Sequence, residues 1–428
     1  MGDSTGAVPA VTGAMSAADR ARFLEQGYLV VKQVVVPGDL ERTRAAYEGL
    51  VDIQRELWAA EAGPDDPPGG AWDTEPQPRL NLTREPLDSR IPWEAAPAID
   101  LWLGRAHEVS SALLGLDDAA VTEMMLMCNP RQDHGSAEWH RDMYPPIAAP
   151  LQGYTDDILE NGPRYVQWNI SLYEDDVLWV IPGSHVRLNT EEENAQLLAD
   201  PLQQLPGAVQ THLDPGDGVV YILPILHWGS KYSARLRRCV HGGYSSLTSY
   251  RQPAAFENLP AASRAPWHRW AARASEAVTH TEAAFRAALA ADPAAYRAAL
   301  AKLTPGRGEK GERLTTVYLA KSARYLLAAK RPEAVTWYGD REPAYAADQH
   351  PTTLHWGAQM HERFGAEEAV ALMQRFAPLQ ASLETDEPHF TPGFQGPAAN
   401  HLFDRMPDLT LEQLYASWGS SEVSYVRN

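Results

Sequence analysis

Residues 216–229, Gly216-Asp217-Gly218-Val219-Val220-Tyr221-Ile222-Leu223-Pro224-Ile225-Leu226-His227-Trp228-Gly229, decide how this chain folds. A Gly-Asp-Gly turn signal opens an apolar run, Pro224 interrupts it, and a histidine closes it. The run is far too short to span a membrane and suits a buried strand. The same grammar repeats outward on both sides: VTEMMLMC at 121–128, RYVQWNISLY at 164–173, VLWVIPGSH at 177–185 and RRCVHGGYSSL at 237–247. Short apolar runs at that spacing, divided by turn signals, predict a β-sandwich or barrel rather than a βαβ repeat.

Helical patterns flank this region. Residues 1–15 read as a loose tail. Ser16 can cap a helix through Asp19, with Phe23 and Leu24 on its apolar face and Gly27 where it stops before a strand-like Tyr28 to Val36. A second helix follows from about Gly38, with Leu40, Tyr47 and Leu50 as its core stripe. Residues 62–79 carry so many Pro, Gly and acidic residues that loop is expected. After Gln252 the chain turns Ala-rich, and Phe285, Leu289, Tyr296 and Leu300 fall at roughly helical spacing. Pro305 to Gly311 breaks the pattern, and further helices are expected near 312–330, 352–376 and 410–418. The expected organisation is a tail at 1–15, a β core with N-terminal helices at 16–250, and a helical extension at 251–428. That extension packs on the core or mediates oligomerisation, so a homodimer stays open.

Composition narrows the function. With 428 residues and 44% hydrophobic content, disorder, collagen and coiled coil are excluded. Lys and Arg number 37 against 56 Asp and Glu, and a net charge of -19 repels a phosphate backbone, so no nucleic-acid partner is expected. Cys128 and Cys239 are the only cysteines, too few for a disulfide scaffold or a cysteine-only zinc site, although one bridge between them stays open. The N-terminus has no basic region, and Gly6 stands where a myristoylation signal wants Ser or Thr. A soluble, cytoplasmic protein without membrane attachment is expected.

The chemistry centres on Glu138-Trp139-His140-Arg141-Asp142. His140 and Asp142 lie two apart, so on an extended strand both side chains share a face and can serve one metal. The pattern alone is weak, because His212-Leu213-Asp214 and His280-Thr281-Glu282 repeat it. His212 and Asp214 run into the turn Pro215-Gly216-Asp217, however, and His280 lies in a helical stretch. Only His140 has a candidate third ligand on a later strand, His227, although a lone histidine closing an apolar strand is usually structural. Eleven residues on stands Arg238; extended chain would hold it roughly 35 Å from His227, so the two share a site only if Gly229 to Ala234 reverses.

This ordered set resembles the phytanoyl-CoA dioxygenase family of Fe(II)- and 2-oxoglutarate-dependent oxygenases. The resemblance rests on FLEQGYLVV at 23–31, EWHRD at 138–142, VLWVIPGSH, GDGVVYILPILHWGS and the downstream arginine, and it covers about 15–250. It implies an α+β protein with a double-stranded β-helix core, a cupin-like jelly roll with flanking helices. It further implies His140, Asp142 and His227 as the facial triad for Fe(II), and Arg238 as the anchor for the distal carboxylate of 2-oxoglutarate, with dioxygen as the third participant. Two imidazoles and a carboxylate leave positions open for the 2-oxo acid and dioxygen. Arginine suits the far carboxylate through its planar fork.

Secondary positions carry alternatives. Trp168 matches a tryptophan lining the cosubstrate pocket in relatives, and equally reads as core filling. Gln167 and Asn169 point to the opposite face from Trp168, so the two sets cannot both line the pocket. Tyr144, Trp139 and Trp228 flank the ligands and could shape a cavity, though packing is the commoner role of such aromatics. His185, after the turn Pro182-Gly183-Ser184, reads as structural. Where relatives place a lysine before the metal strand, this chain has Asn129, which can hydrogen-bond but brings no charge. The stretch WGSKYSARLRR also leaves Arg235 and Arg237 as alternative anchors.

Asp142 favours hydroxylation, since related halogenases lose that carboxylate; desaturation, epimerisation or ring formation stays open on the same ligands. The expected substrate is a small or medium-sized metabolite rather than an acyl-CoA, for whose phosphates no basic cluster is evident. Two alternatives remain: a catalytically silent jelly roll that binds a metabolite or partner, and a cupin-type Zn(II) or Mn(II) enzyme without 2-oxoglutarate.

Overall fold

Ser16 begins the first helix through a reciprocal capping box. Its hydroxyl accepts the Asp19 N–H at 3.1 Å, and the Asp19 carboxylate accepts the Ser16 N–H at 3.1 Å. Gly27 ends that helix in the left-handed region at φ 82°, its N–H bonded to the Phe23 carbonyl. The structure, a computed structural model, describes residues 10–143, 149–230, 235–248, 253–335, 360–384, 391–394 and 402–419. The chain forms two compact units. The first takes Met1–Arg141, Pro163–His185 and Glu191–Ala271; the second takes Asp142–Gly162, Val186–Thr190 and Ala272–Asn428.

The first unit holds ten strands among the described residues: β1 (Ala10–Val11), β2 (Tyr28–Val31), β3 (Arg79–Asn81), β4 (Ala120–Cys128), β5 (Tyr165–Ser171), β6 (Leu178–Val180), β7 (Val209–Gln210), β8 (Gly218–Ile222), β9 (His227–Gly229) and β10 (Arg238–Ser245). Seven make one sheet in the order β1-β2-β8-β5-β10-β4-β3, and three make another in the order β7-β6-β9. All pairings are antiparallel except β1 with β2. Its helices are α1 (Ala17–Gln26), α2 (Pro37–Glu61), α3 (Ala71–Thr74), α4 (Ala96–Asp100), α5 (Arg105–Leu114) and a later one at Glu191–Ala199.

Two expectations change. The tail does not run loose to residue 15, because Ala10 and Val11 pair with Val30 and Val31, and Val11 is buried. Residues 62–79 are not all loop, because Trp72, the one large apolar side chain there, anchors α3 by burying itself 6.0 Å from Trp58, ring centre to ring centre.

The faces of the larger sheet follow from period-two alternation. One face meets the helices: Trp168 Nε1 donates to Ser110 Oγ of α5 at 2.8 Å, and Tyr244 Oη donates to the Trp102 carbonyl at 2.7 Å. The other, inner face meets the smaller sheet. Tyr28, Val30, Val219 and Tyr221 of the larger sheet share an apolar cluster there with Leu178 and Val180 of β6. Cys128 and Cys239 are both free and buried. They fall on opposite faces because Cys128 registers with Arg238, one residue before Cys239, so the bridge left open by the sequence does not form.

The second unit is helical. It comprises α6 (Leu151–Asn161), part of a long helix Ala261–Leu289 that begins in the first unit, Pro293–Leu303, Glu309–Lys330, Ala366–Ser382 and Leu411–Ser417. The Ala-rich stretch splits in two where Ala291 takes φ 52° and the Asp292 side chain caps the next helix through the Ala295 N–H. Every residue from Leu314 to Ala328 is buried, so Glu309–Lys330 is the central helix of this unit. Tyr296, Phe376, Tyr415 and Trp418 pack nearby, with Tyr296 5.2 Å from Trp418. Of the helix expected at 352–376, residues 352–359 lie outside the described residues, and the described helix starts at Ala366. Among the described residues no helix is long and apolar enough to cross a membrane.

Candidate metal centre

His227 opens β9, and His140 forms an antiparallel bridge with it, each backbone N–H bonded to the other's carbonyl at 2.9 Å. The two rings therefore lie side by side, 4.4 Å between centres. His140 Nδ1 sits 2.7 Å from the Glu138 carbonyl and His227 Nδ1 sits 3.0 Å from the Ile225 carbonyl. An Nδ1–H donated to a carbonyl fixes the tautomer whose Nε2 carries the lone pair, the form a metal takes. Asp142 completes the group: one ligand atom from each of His140, Asp142 and His227 lies within 4.8 Å of the others. The donor set fits a first-row divalent ion such as Fe(II).

The alternation that aims His140 and Asp142 together sends Arg141 the other way. Arg141 is fully buried, and its Nη1 donates to the carbonyls of Ser184, at 2.7 Å, and Pro224. It thus ties the strand carrying His140 to the turn before His185 and to the segment leading into His227. Behind the histidines, their chain neighbours Trp139 and Trp228 stack with centres 5.5 Å apart and planes at 18°. Trp139 Nε1 donates to the Gln203 carbonyl and Trp228 Nε1 to the Ala137 carbonyl, each at 2.7 Å. These two tryptophans pack in an apolar cluster with Ile181, Leu197, Leu205 and Leu226. Tyr144 lies outside the described residues.

The three arginines separate. Arg235 is exposed and bonds Glu174 at 2.7 Å. Arg238 registers opposite Cys128 on the helix-facing side of β10, where Nε lies 3.0 Å from Glu48 Oε1 and Nη2 donates to Glu48 Oε2 at 3.1 Å. Arg237 precedes it by one residue, so alternation turns its side chain to the inner face, where Nε donates to buried Asp175 at 2.7 Å. Asn129 Oδ1 accepts from the Arg237 backbone N–H at 3.1 Å and from Arg238 Nη1 at 3.3 Å. Asn129 therefore holds the arginine pair.

Trp168 is completely buried on the helix-facing side with Ser110 as its partner, while Gln167 and Asn169 are the β5 residues on the inner face. Gln167 Nε2 donates to Tyr221 Oη at 2.8 Å, and the Tyr221 ring lies 5.4 Å from that of His227. Sequence reasoning missed Arg141 and Tyr221. For Tyr221 a signal existed: it alternates with Val219 on the strand that leads to His227. Arg141 carried none, since a fully buried arginine inside a metal motif reads as solvated. His185 is structural, as expected: Nε2 lies 2.9 Å from the Leu24 carbonyl, and burial pushes its pKa down to about 4. Burial pushes both cysteine thiols up to about 12, so neither is a ready nucleophile.

Two histidines and a carboxylate gathered on an antiparallel β scaffold define a candidate mononuclear metal protein of the facial-triad class. The chain belongs to the family described as phytanoyl-CoA dioxygenase, which matches residues 23–239. No curated relative matches by sequence. Among solved structures it is similar to AviO1 from Streptomyces viridochromogenes Tue57, at 21% identity over 57% of this chain and 98% of that one, with a TM-score of 0.37. It is also similar to EctD from S. alaskensis, solved with 2-oxoglutarate and 5-hydroxyectoine, at 20% identity over 58% and 81%, TM-score 0.37. A third is SnoK, a non-heme alpha ketoglutarate dependent carbocyclase from nogalamycin biosynthesis, at 18% identity over 57% and 91%, TM-score 0.37.

Proposed function

We propose that this chain is an Fe(II)- and 2-oxoglutarate-dependent dioxygenase with a double-stranded β-helix core, and that it hydroxylates an unactivated carbon of a small or medium-sized metabolite. The observation that carries this reading is the meeting of His140, Asp142 and His227 within 4.8 Å in a chain of that family. Iron bound there supplies, with 2-oxoglutarate and dioxygen, the oxidising power for hydroxylation while the keto acid leaves as succinate and carbon dioxide.

The protein's own contribution is geometric. The carbonyls of Glu138 and Ile225 orient the two imidazoles, and the Trp139–Trp228 stack with Arg141 holds their strands in register. For the distal carboxylate of 2-oxoglutarate we assign Arg237 in place of Arg238. Arg237 shares the inner face with Tyr221 and the apolar cluster between the sheets, whereas Arg238 faces the helices and spends its fork on Glu48. Asp175 then orients the Arg237 guanidinium through Nε. Asp142 favours hydroxylation, and desaturation, epimerisation or ring formation would use the same ligands.

Anaerobic addition of Fe(II) and then 2-oxoglutarate to metal-free protein is expected to produce a visible charge-transfer band, followed by succinate release in air. If neither band nor succinate appears, the proposal fails.

A further inference from the structure

The inside of a two-sheet structure is ordinarily filled by apolar side chains. Here the inner face of β4, β10 and β5 carries polar side chains among its apolar ones, beside the apolar cluster that β8 enters through Val219 and Tyr221. Cross-strand register lays down one row of Glu123, Gly243, Gln167 and Tyr221, and beside it a row of Met125, His241, Asn169 and Val219. The polar members are joined pairwise. Gln167 links Tyr165 Oη, 3.2 Å away, to Tyr221 Oη; His241 Nδ1 lies 2.7 Å from Asn169 Oδ1; Asn81 Nδ2 donates to Glu123 Oε1 at 3.3 Å.

Gly243 makes room for this arrangement. A Cβ there would come within 2.3 Å of the Tyr165 ring, so the missing side chain lets the phenol lie across the row. Exposure rises along the rows. Tyr221 beside His227 is 1% exposed and Gln167 and Asn169 are 4%, while Tyr165, His241 and Glu123 are half-buried. The polar surface thus begins at Tyr221, beside His227, and runs to side chains that are partly exposed.

Burying polar groups contributes little to folding even when they are paired, and an apolar face would serve the core better. A pocket for a hydrocarbon or fatty-acyl chain would be lined by aliphatic side chains, and convergent hydrogen-bonding groups are what set orientation in ligand sites. A site built to hydrogen-bond also rejects analogues without the matching groups. We propose that the substrate is a polyhydroxylated small molecule, read by Tyr165, His241 and Glu123 on the inner face that Tyr221 joins to His227. This rests on the dioxygenase reading above and adds the substrate class to it.

The test uses the full chain loaded with diamagnetic Zn(II) and 2-oxoglutarate, and ligand-observed saturation-transfer NMR with two size-matched pools. One pool holds cyclic polyols and methyl glycosides; the other holds medium-chain carboxylates and alkyl amides. Signals are expected from the first pool only, falling about fivefold in Tyr165→Phe and in His241→Leu. Tyr165→Phe removes one hydroxyl and keeps the ring, so it carries the test if His241→Leu does not fold. Signals from the apolar pool alone, from both pools equally, from neither, or glycoside signals undiminished in the folded variants overturn the substrate class. The 2-oxoglutarate signal in the same wild-type samples is scored separately: its loss sinks the dioxygenase reading, and its presence beside the wrong pool sinks only the substrate class.

Discussion

On the helix-facing side of β5, β8 and β10, Val166, Trp168, Ile170, Val220 and Val240 are completely buried and chemically inert. On the other side the same strands present Gln167, Asn169, Ser171, Tyr221 and His241. The two faces alternate residue by residue, so a single step along the chain moves a side chain from the helix-facing side to the inner face. Arg237 and Arg238 show this most directly: neighbours of the same type, one on Asp175 at the inner face and one on Glu48 of α2. On the proposed reading the metal site and the helix-facing packing lie on opposite sides of one sheet, and substitutions on each side test that separately.

The largest effect is expected at the metal cluster. Asp142→Ala should abolish iron binding and activity while the protein stays folded, because the carboxylate is the one anionic ligand of the three. Metal analysis of the purified variant checks this, and stoichiometric iron would break the assignment.

Next comes the opposite face. Trp168→Ala removes a fully buried indole and its bond to Ser110, and should cost about 3–5 kcal/mol of stability. Denaturant melts would show that loss, while the folded fraction keeps its metal stoichiometry. Metal loss with unchanged stability would place Trp168 in the site after all.

The arginine pair sharpens the contrast at single-residue resolution. Arg237→Ala should raise the 2-oxoglutarate requirement by about tenfold or more, the loss expected for a charge-assisted fork. Arg238→Ala should leave that requirement nearly unchanged and cost about 1 kcal/mol for a pair whose Glu48 side remains solvated. Cosubstrate titrations of both variants decide, and the reverse pattern restores Arg238 as the anchor.

An effect confined to acid solution lies at His185, which burial holds neutral down to about pH 4. The unfolded chain takes up that proton near the ordinary histidine value, about 6.5. Between those limits the unfolded state binds more protons, so stability falls as the pH drops from about 6.5 to about 4, by at most about 1.4 kcal/mol per pH unit. Urea midpoints across that range, compared with His185→Asn, should show a flatter profile in the variant.

Much of the fold was legible because it is local. Ser16, Asp19 and Gly27 announce a helix and its end within a dozen residues, and the short apolar runs from 121 to 247 announce strands. Misses occurred where partners are distant. Nothing near Ala10 foretells its pairing with Val30, and nothing in the acidic stretch at 62–79 shows that Trp72 will find Trp58. In the site, His140, Asp142 and His227 were readable from spacing and from a family pattern. Arg141 was not, since its role depends on the Ser184 and Pro224 carbonyls, 43 and 83 residues away along the chain.

The sequence alone determined that this chain builds a run of short strands rather than a βαβ repeat, that its ordered motifs belong with the phytanoyl-CoA dioxygenase family, and which three side chains are suited to one metal. Residue type and periodicity carry that much, because they dictate local conformation and donor chemistry. Only the tertiary structure decided which face of each strand looks inward. A consecutive pair such as Arg237 and Arg238 is indistinguishable by composition, and register with β4 and β5 alone fixes which guanidinium shares the inner face with Tyr221 and which pairs with a helix.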